Sequence, residues 1–177
     1  MSLFLSAVYV RPVPTSEPSS WVGWATDDAP VTLQTPPGVA FTRVEGLSDT
    51  YLTWDGPGGA VFSILATDRP LAPGELAEGE RGRGVDVQVI RDEVCRDDAG
   101  ARCVELRLAR DQPWEFRATP DGGMIDAPPE HVVEIASHRY WCQAHGGIRV
   151  GYRVREDASS DLKAMLQAML ESARLSS

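Results

Sequence analysis

The chain predicts an α+β fold, an antiparallel β-sheet of several hairpins packed by a C-terminal amphipathic helix in a sandwich-like arrangement. Three observations carry this prediction. Short runs of strand-forming residues recur from about Val31 onward, each closed by turn residues. A final hairpin, His131 to Cys142 and Ile148 to Arg155, turns at His145-Gly146-Gly147. Beyond it, Asp161 to about Leu175 repeats apolar residues at helical spacing. Consecutive hairpins and one terminal helix also describe a closed β-barrel with a C-terminal helix, which is the alternative.

Residues 1–30 read as an N-terminal extended, proline-rich arm, and 31–177 as a single α+β domain. Arg11 to Ser20 is rich in proline and serine, which favours extended or loop conformations. The strand candidates then follow in order: Val31–Gln34, Val39–Glu45, Thr50–Trp54, Ala60–Thr67, Val85–Val94, Cys103–Arg110, Trp114–Thr119, His131–Cys142 and Ile148–Arg155. Turns punctuate them at Pro36-Pro37-Gly38, Asp55–Gly59, Asp97–Gly100 and Pro120–Gly123. Pro70–Gly84 holds one weak helical segment, around Glu75–Glu80.

The terminal helix is the clearest element. Leu162, Met165, Leu166, Met169, Leu170 and Ala173 fall on one face, and Lys163, Gln167, Glu171 and Arg174 on the other. Ser159 and Ser160 suit an N-cap, and Asp161 suits the positive end of the helix dipole. Its polar face is not rich in basic residues, so it reads as a core helix rather than a membrane-surface one.

Register follows from side-chain alternation. A three-residue loop of Ala144, His145 and Gly146 would set Cys142 opposite Ile148, Tyr140 opposite Val150 and His138 opposite Tyr152, with Cys142 on the core side. A similar loop at Asp98, Ala99 and Gly100 would place Cys95 opposite Cys103. At that separation the two thiols either bridge or remain free. The change of parity upstream calls for a bulge near Val89–Ile90.

Composition bounds the function. A hydrophobic fraction of 42% and a charged fraction of 24% are those of a soluble globular protein. Net charge is −9, from 17 basic and 26 acidic side chains, which disfavours nucleic acid because affinity for a polyphosphate needs basic residues. The apolar start, Leu3 to Val10, is far shorter than the roughly 20 residues a spanning helix needs. It also lacks a basic flank, so it is not an intact signal peptide. The compartment is cytoplasmic, or external with a leader removed. Three cysteines, an odd number, exclude a dense disulfide scaffold.

No GxSxG elbow, P-loop, dinucleotide fingerprint or HExxH motif is present. Cys142 and His145 resemble half of a zinc site, but the other ligands must come from elsewhere. His131 and His138 lie near Asp126, Glu130 and Glu134, yet their parity sends them to opposite faces, which favours surface or rim positions. Asp92, Glu93, Asp97 and Asp98 flank one hairpin and read as a solvated face, with weak calcium binding the alternative. Trp21 and Trp24 serve either as an aromatic platform or as anchors for the arm. Of Tyr140 and Trp141, one should face outward. No catalytic, cofactor-binding or metal-binding residue is assigned, and no cofactor is expected.

Several stretches together resemble a known family. TPPGVAF (35–41) precedes the paired strands TYLTW (50–54) and AVFSILATD (60–68). After a central hairpin, HRYWCQAHGGIRVGYRVRED (138–157) runs into DLKAMLQAMLESARL (161–175). This pattern, over roughly residues 31–175, is similar to the PsbP-like sandwich family, named from a photosystem II extrinsic protein and including a Ran-binding import factor, bacterial lipoproteins and secretion effector chaperones. The resemblance implies an α/β/α-like sandwich around an antiparallel sheet, used as a binding or adaptor module without catalysis.

Sequence reasoning therefore expects a non-enzymatic binding or adaptor module acting through a protein or peptide surface, with no nucleic acid, no membrane span and no oligomeric state assigned. A carrier of a small apolar ligand, in a barrel or sandwich cavity, is the first alternative. A hydrolase or metal enzyme using Cys142, His145 or His138 is the second.

Overall fold

The computed structural model describes residues 20–176 except 47, 71, 114, 119–122 and 144–145, with the backbone alone at 115–118, 125 and 127. In chain order the elements are β1 (Val22–Thr26), β2 (Ala29–Thr35), β3 (Thr42–Arg43), β4 (Thr50–Asp55), β5 (Val61–Thr67) and α1 (Glu75–Arg81). They continue with β6 (Asp86–Cys95), β7 (Asp98–Gln112), β8 (Glu115–Ala118), β9 (Met124–Ala127), β10 (Glu130–Gln143), β11 (Gly146–Arg155), α2 (Ser160–Ser172) and β12 (Arg174–Leu175). The centre is a seven-stranded antiparallel sheet in the order β3-β4-β5-β11-β10-β7-β6. A three-stranded sheet, β1-β2-β12, and a ribbon, β8-β9, complete it.

The α+β expectation holds, and the closed barrel does not. β3 and β6 are the two edges of the seven-stranded sheet and do not pair with each other. The sheet stays open because its apolar face is sealed by other elements. One face of the sheet presents Phe62, Ile64, Trp141, Val150, Tyr152 and Val154 to Val31 and Leu33 of β2 and to Leu162, Met165, Leu166 and Met169 of α2, all in one buried cluster. Each such side chain contributes about 1.5–3 kcal/mol on burial. The opposite face buries Val87, Val104, Leu106, Leu108, Ala136 and Tyr140 with Ala77 of α1, but only on the side of the sheet nearest β6.

α2 forms as its periodicity requires. The Ser159 hydroxyl caps it by accepting from the Leu162 N–H at 3.3 Å, and Asp161 sits in the first turn. The helix ends at Ser172 rather than near Leu175, because Arg174 and Leu175 pair with Thr32 and Val31 as β12. α1 confirms the short helix expected around Glu75–Glu80.

Register corrects one expectation. Gln143 pairs with Gly146, Trp141 with Ile148, Tyr140 with Arg149 and Ser137 with Tyr152, one residue away from the pairing expected from the sequence. Cys142 consequently faces Gly147 and is exposed, not on the core side. The glycine at the turn is demanded by space, since a Cβ on Gly146 would lie 2.5 Å from the Thr67 carbonyl oxygen. Nor does either Tyr140 or Trp141 face outward: both are buried, on opposite faces, because both faces are covered at this point.

In the β6–β7 hairpin the bulge falls where parity required it, with Val89 opposite Leu106 and Arg91 opposite Glu105, so Ile90 is the extra residue. Cys95 and Cys103 are bridged, with their Cα atoms 5.1 Å apart. They are not directly opposed. Cys103 faces Glu93 and Cys95 faces Asp98, because a second irregularity at Val94/Cys95 brings the two together diagonally.

Candidate functional site

The short α1 covers one side of the sheet's second face and leaves the β4-β5-β11 side open. There the strands and the outer flank of α1 enclose a groove of about 730 Å³. Alternation explains why its floor is polar. In β11, Ile148, Val150, Tyr152 and Val154 point to the α2 core, so Arg149, Gly151 and Arg153 point into the groove. By the same period Ser63 and Leu65 of β5 and Tyr51 of β4 share that floor. β10 contributes His138, whose neighbour across the ladder is Gly151. Any side chain at Gly151 would collide with the His138 ring and with the Ser137 carbonyl, so the glycine makes room for the imidazole.

The lining charges are four arginines, Arg69, Arg83, Arg149 and Arg153, and three carboxylates, Asp49, Glu75 and Glu80. Three arginines are committed. Arg153 reaches Glu80 at 2.5 Å and Glu134 at 3.9 Å, Arg83 reaches Glu80 at 3.1 Å, and Arg69 reaches Glu75 at 2.5 Å. Arg149 has no hydrogen bond or ion pair among the described residues. Burial pulls its guanidinium below the ordinary arginine value, with Tyr51, Glu75 and Glu80 opposing that shift; an arginine remains a cation regardless. His138 is pushed down to about 3, first by burial and then by Arg149 and Arg153. It is therefore a neutral imidazole at neutral pH, and its Nδ1 has no hydrogen-bond partner among the described residues. The groove thus offers one uncommitted cation beside a neutral ring.

The architecture has known counterparts. The solution structure of cyanobacterial PsbP (CyanoP) from Synechocystis sp. PCC 6803 superposes with a TM-score of 0.56 at 12% identity, covering 88% of this chain and 92% of that one. The chain has the PsbP-like fold. A crystal structure from Bacteroides thetaiotaomicron VPI-5482 aligns more loosely, with a TM-score of 0.40 at 9% identity over 88% of this chain and 48% of that one. No protein-family model and no curated protein matches the sequence.

Within this PsbP-like sandwich the residues singled out by sequence are scattered. His131 is exposed and paired with Asp111 at 2.8 Å, while His138 turns into the groove, so the two do diverge. His145 and Trp114 lie outside the described residues. Among the described residues no group of three or more His, Cys, Asp and Glu is placed to hold a metal. Three of the four acidic hairpin residues are committed within the chain. Asp97 accepts two hydrogen bonds from Arg139 at 2.7 and 2.9 Å, Asp98 accepts from the Trp141 indole at 2.9 Å, and Asp92 is paired with Arg102. Trp21 and Trp24 pack against the main core, and Trp24 lies 4.7 Å from the Phe41 ring, which makes them anchors. No helix of the described residues is long and apolar enough to cross a membrane.

The groove residues Arg149, Arg153 and Tyr51 are not among those the sequence singled out. The available signal was the recurrence of the arginines at alternate positions of a strand with glycine between them.

Proposed function

We propose that the protein is a binding module whose ligand-receiving surface is the open groove between α1 and the β4-β5-β11 face, and that it takes an extended peptide or protein segment carrying an anionic group. Arg149 carries the reading. A sunken guanidinium without a hydrogen-bonded carboxylate bears a desolvation cost for which Glu75 and Glu80 provide only partial compensation. An incoming carboxylate provides that compensation through a charge-assisted hydrogen bond. The net charge of −9 is compatible with this, because recognition is of one anionic group at short range, not of a polyanion. The absence of a closed barrel and the polar floor weigh against a carrier of a wholly apolar ligand, whose pockets are predominantly hydrophobic.

Peptide display against the folded protein, followed by chemical-shift mapping of the enriched peptides, tests this. The expected result is enrichment of peptides with an acidic or free terminal carboxylate that shift Tyr51, Ser63, Arg149 and Arg153 together. Peptides that shift other surfaces only, or no enrichment at all, would contradict it.

A further inference from the structure

The groove does not end at Arg149. A narrow throat, lined by Ala72, Glu75, Leu76, Tyr140 and Arg149, shares Glu75, Leu76 and Arg149 with the groove. Sharing Leu76 and Tyr140 with the throat is a cleft of about 110 Å³ between α1 and the sheet, with an apolar wall of Leu76, Ala77, Val89, Val104 and Leu106 and with Glu78, Arg81 and Asp92 also at its border. Tyr140 is 4% exposed, and its hydroxyl has no hydrogen-bond partner among the described residues. Buried tyrosines ordinarily find one. Burial, with Asp92 adding to it, holds the phenol above the usual tyrosine value, so the group is a donor. Glu75 in the throat accepts from Arg69 at 2.5 Å and from the Ala72 N–H at 3.0 Å and makes no hydrogen bond to Tyr140 or Arg149.

Two uncommitted donors, one charged and one neutral, thus line the same constriction, with an apolar cleft behind and a polar groove in front. We infer that this arrangement is a receptor for the free C-terminus of a peptide ending in an aliphatic residue. The terminal carboxylate accepts hydrogen bonds from the Arg149 guanidinium and the Tyr140 hydroxyl. The last side chain parts the throat, which is about water-sized when empty, and enters the cleft, which is smaller than the roughly 150 Å³ cavity that holds a benzene and so suits a branched aliphatic group. The preceding residues run out along the groove past Ser63 and Tyr51. An internal aspartate or glutamate fits less well, because its chain would have to leave the throat in two directions and would leave the apolar cleft unfilled. The size of the groove beyond the throat favours a peptide over a free small acid. Capture of a C-terminal carboxylate is a recurrent recognition mode. The inference rests on the groove being the ligand-receiving surface.

Fluorescence anisotropy with an N-terminally labelled hexapeptide pool, randomised except for a C-terminal leucine, tests it, beside the same pool as the C-terminal amide. N-acetyl-leucine serves as an unlabelled competitor. The free-acid pool should bind at least about tenfold more tightly than the amide, a loss of the size expected for charge-assisted hydrogen bonds. Arg149→Gln should remove that preference, and Tyr140→Phe should weaken the acid by several-fold. Neither change removes a hydrogen bond or ion pair within the described chain, so both variants should unfold at or above the wild-type temperature. The comparison of acid with amide on the unaltered protein stands even if a variant fails to fold. Equal binding of acid and amide would overturn the C-terminus reading and leave the groove standing. Competition by N-acetyl-leucine at the peptide's own affinity would overturn the peptide clause in favour of a free carboxylate. No binding by either pool would overturn both readings.

Discussion

Arg139 and Arg149 sit on adjacent strands and point to opposite faces of the sheet, and the protein treats them differently. Arg139 is 3% exposed, and it is held by Asp97 and by the Ala173 carbonyl at 3.1 Å, at the end of α2. Asp97 also meets Arg174 at 3.2 Å, so one carboxylate at a hairpin tip ties the β6–β7 turn to the helix end. Removing it leaves a buried guanidinium without its counter-charge. Asp97→Ala should cost about 2–3 kcal/mol, below the 3–5 of a fully buried pair because Asp97 itself is 45% exposed; urea denaturation would measure it, and an unchanged midpoint would contradict the assignment. Arg149 has no such partner among the described residues. The difference between the two arginines was not legible in the sequence, where both are arginines of alternating strands. It depends on which carboxylates the hairpin tip and α1 bring near, and those contacts span long stretches of chain.

At the level of elements, what was legible is what local periodicity controls. α2 combines a strong apolar stripe with a serine cap, and it forms where both signals place it. Ser159→Ala should destabilise by about 1 kcal/mol, lowering the thermal midpoint by about 2–4 °C for a chain of this size; no shift in calorimetry would show the cap to be idle. The bulge at Ile90 was legible for the same reason, as a break in a period of two. The β10–β11 register was not. Gly146 and Gly147 allow a loop of two or three residues, and both faces of β10 carry buried side chains, so hydrophobic alternation does not choose between registers that differ by one. β12 and β1 were hidden because their pairing partner, β2, lies far from β12 in sequence and β1 lies within a stretch read as an arm.

For the whole molecule, hairpin order was readable, but openness was not, because it depends on two edge strands failing to meet. That openness creates the groove and leaves His138 half-buried in its floor. Below its ordinary value of 6.5 an unfolded chain takes up a proton at this position, while the folded chain does not until about 3. Stability should therefore fall as pH drops through that window. Asp97, Asp98 and Glu75, all held below the ordinary carboxylate range by hydrogen bonds from Arg139, Trp141 and Arg69, add a further loss at the acidic end. His138→Gln should flatten the profile between pH of about 5 and 6.5, where carboxylates contribute little. An unaltered slope in denaturation measured across that range would place the titrating group elsewhere.

The central claim is that Arg149 is the groove's anion receptor. Its most direct test is the side-chain Nε–Hε resonance of Arg149 in a ¹H–¹⁵N spectrum, assigned by its loss in Arg149→Gln and followed as the leucine-terminated free-acid peptide is added. A saturable shift with slowed solvent exchange, absent with the amidated peptide, is the predicted result. A peptide that binds while this resonance stays in place would contradict the account.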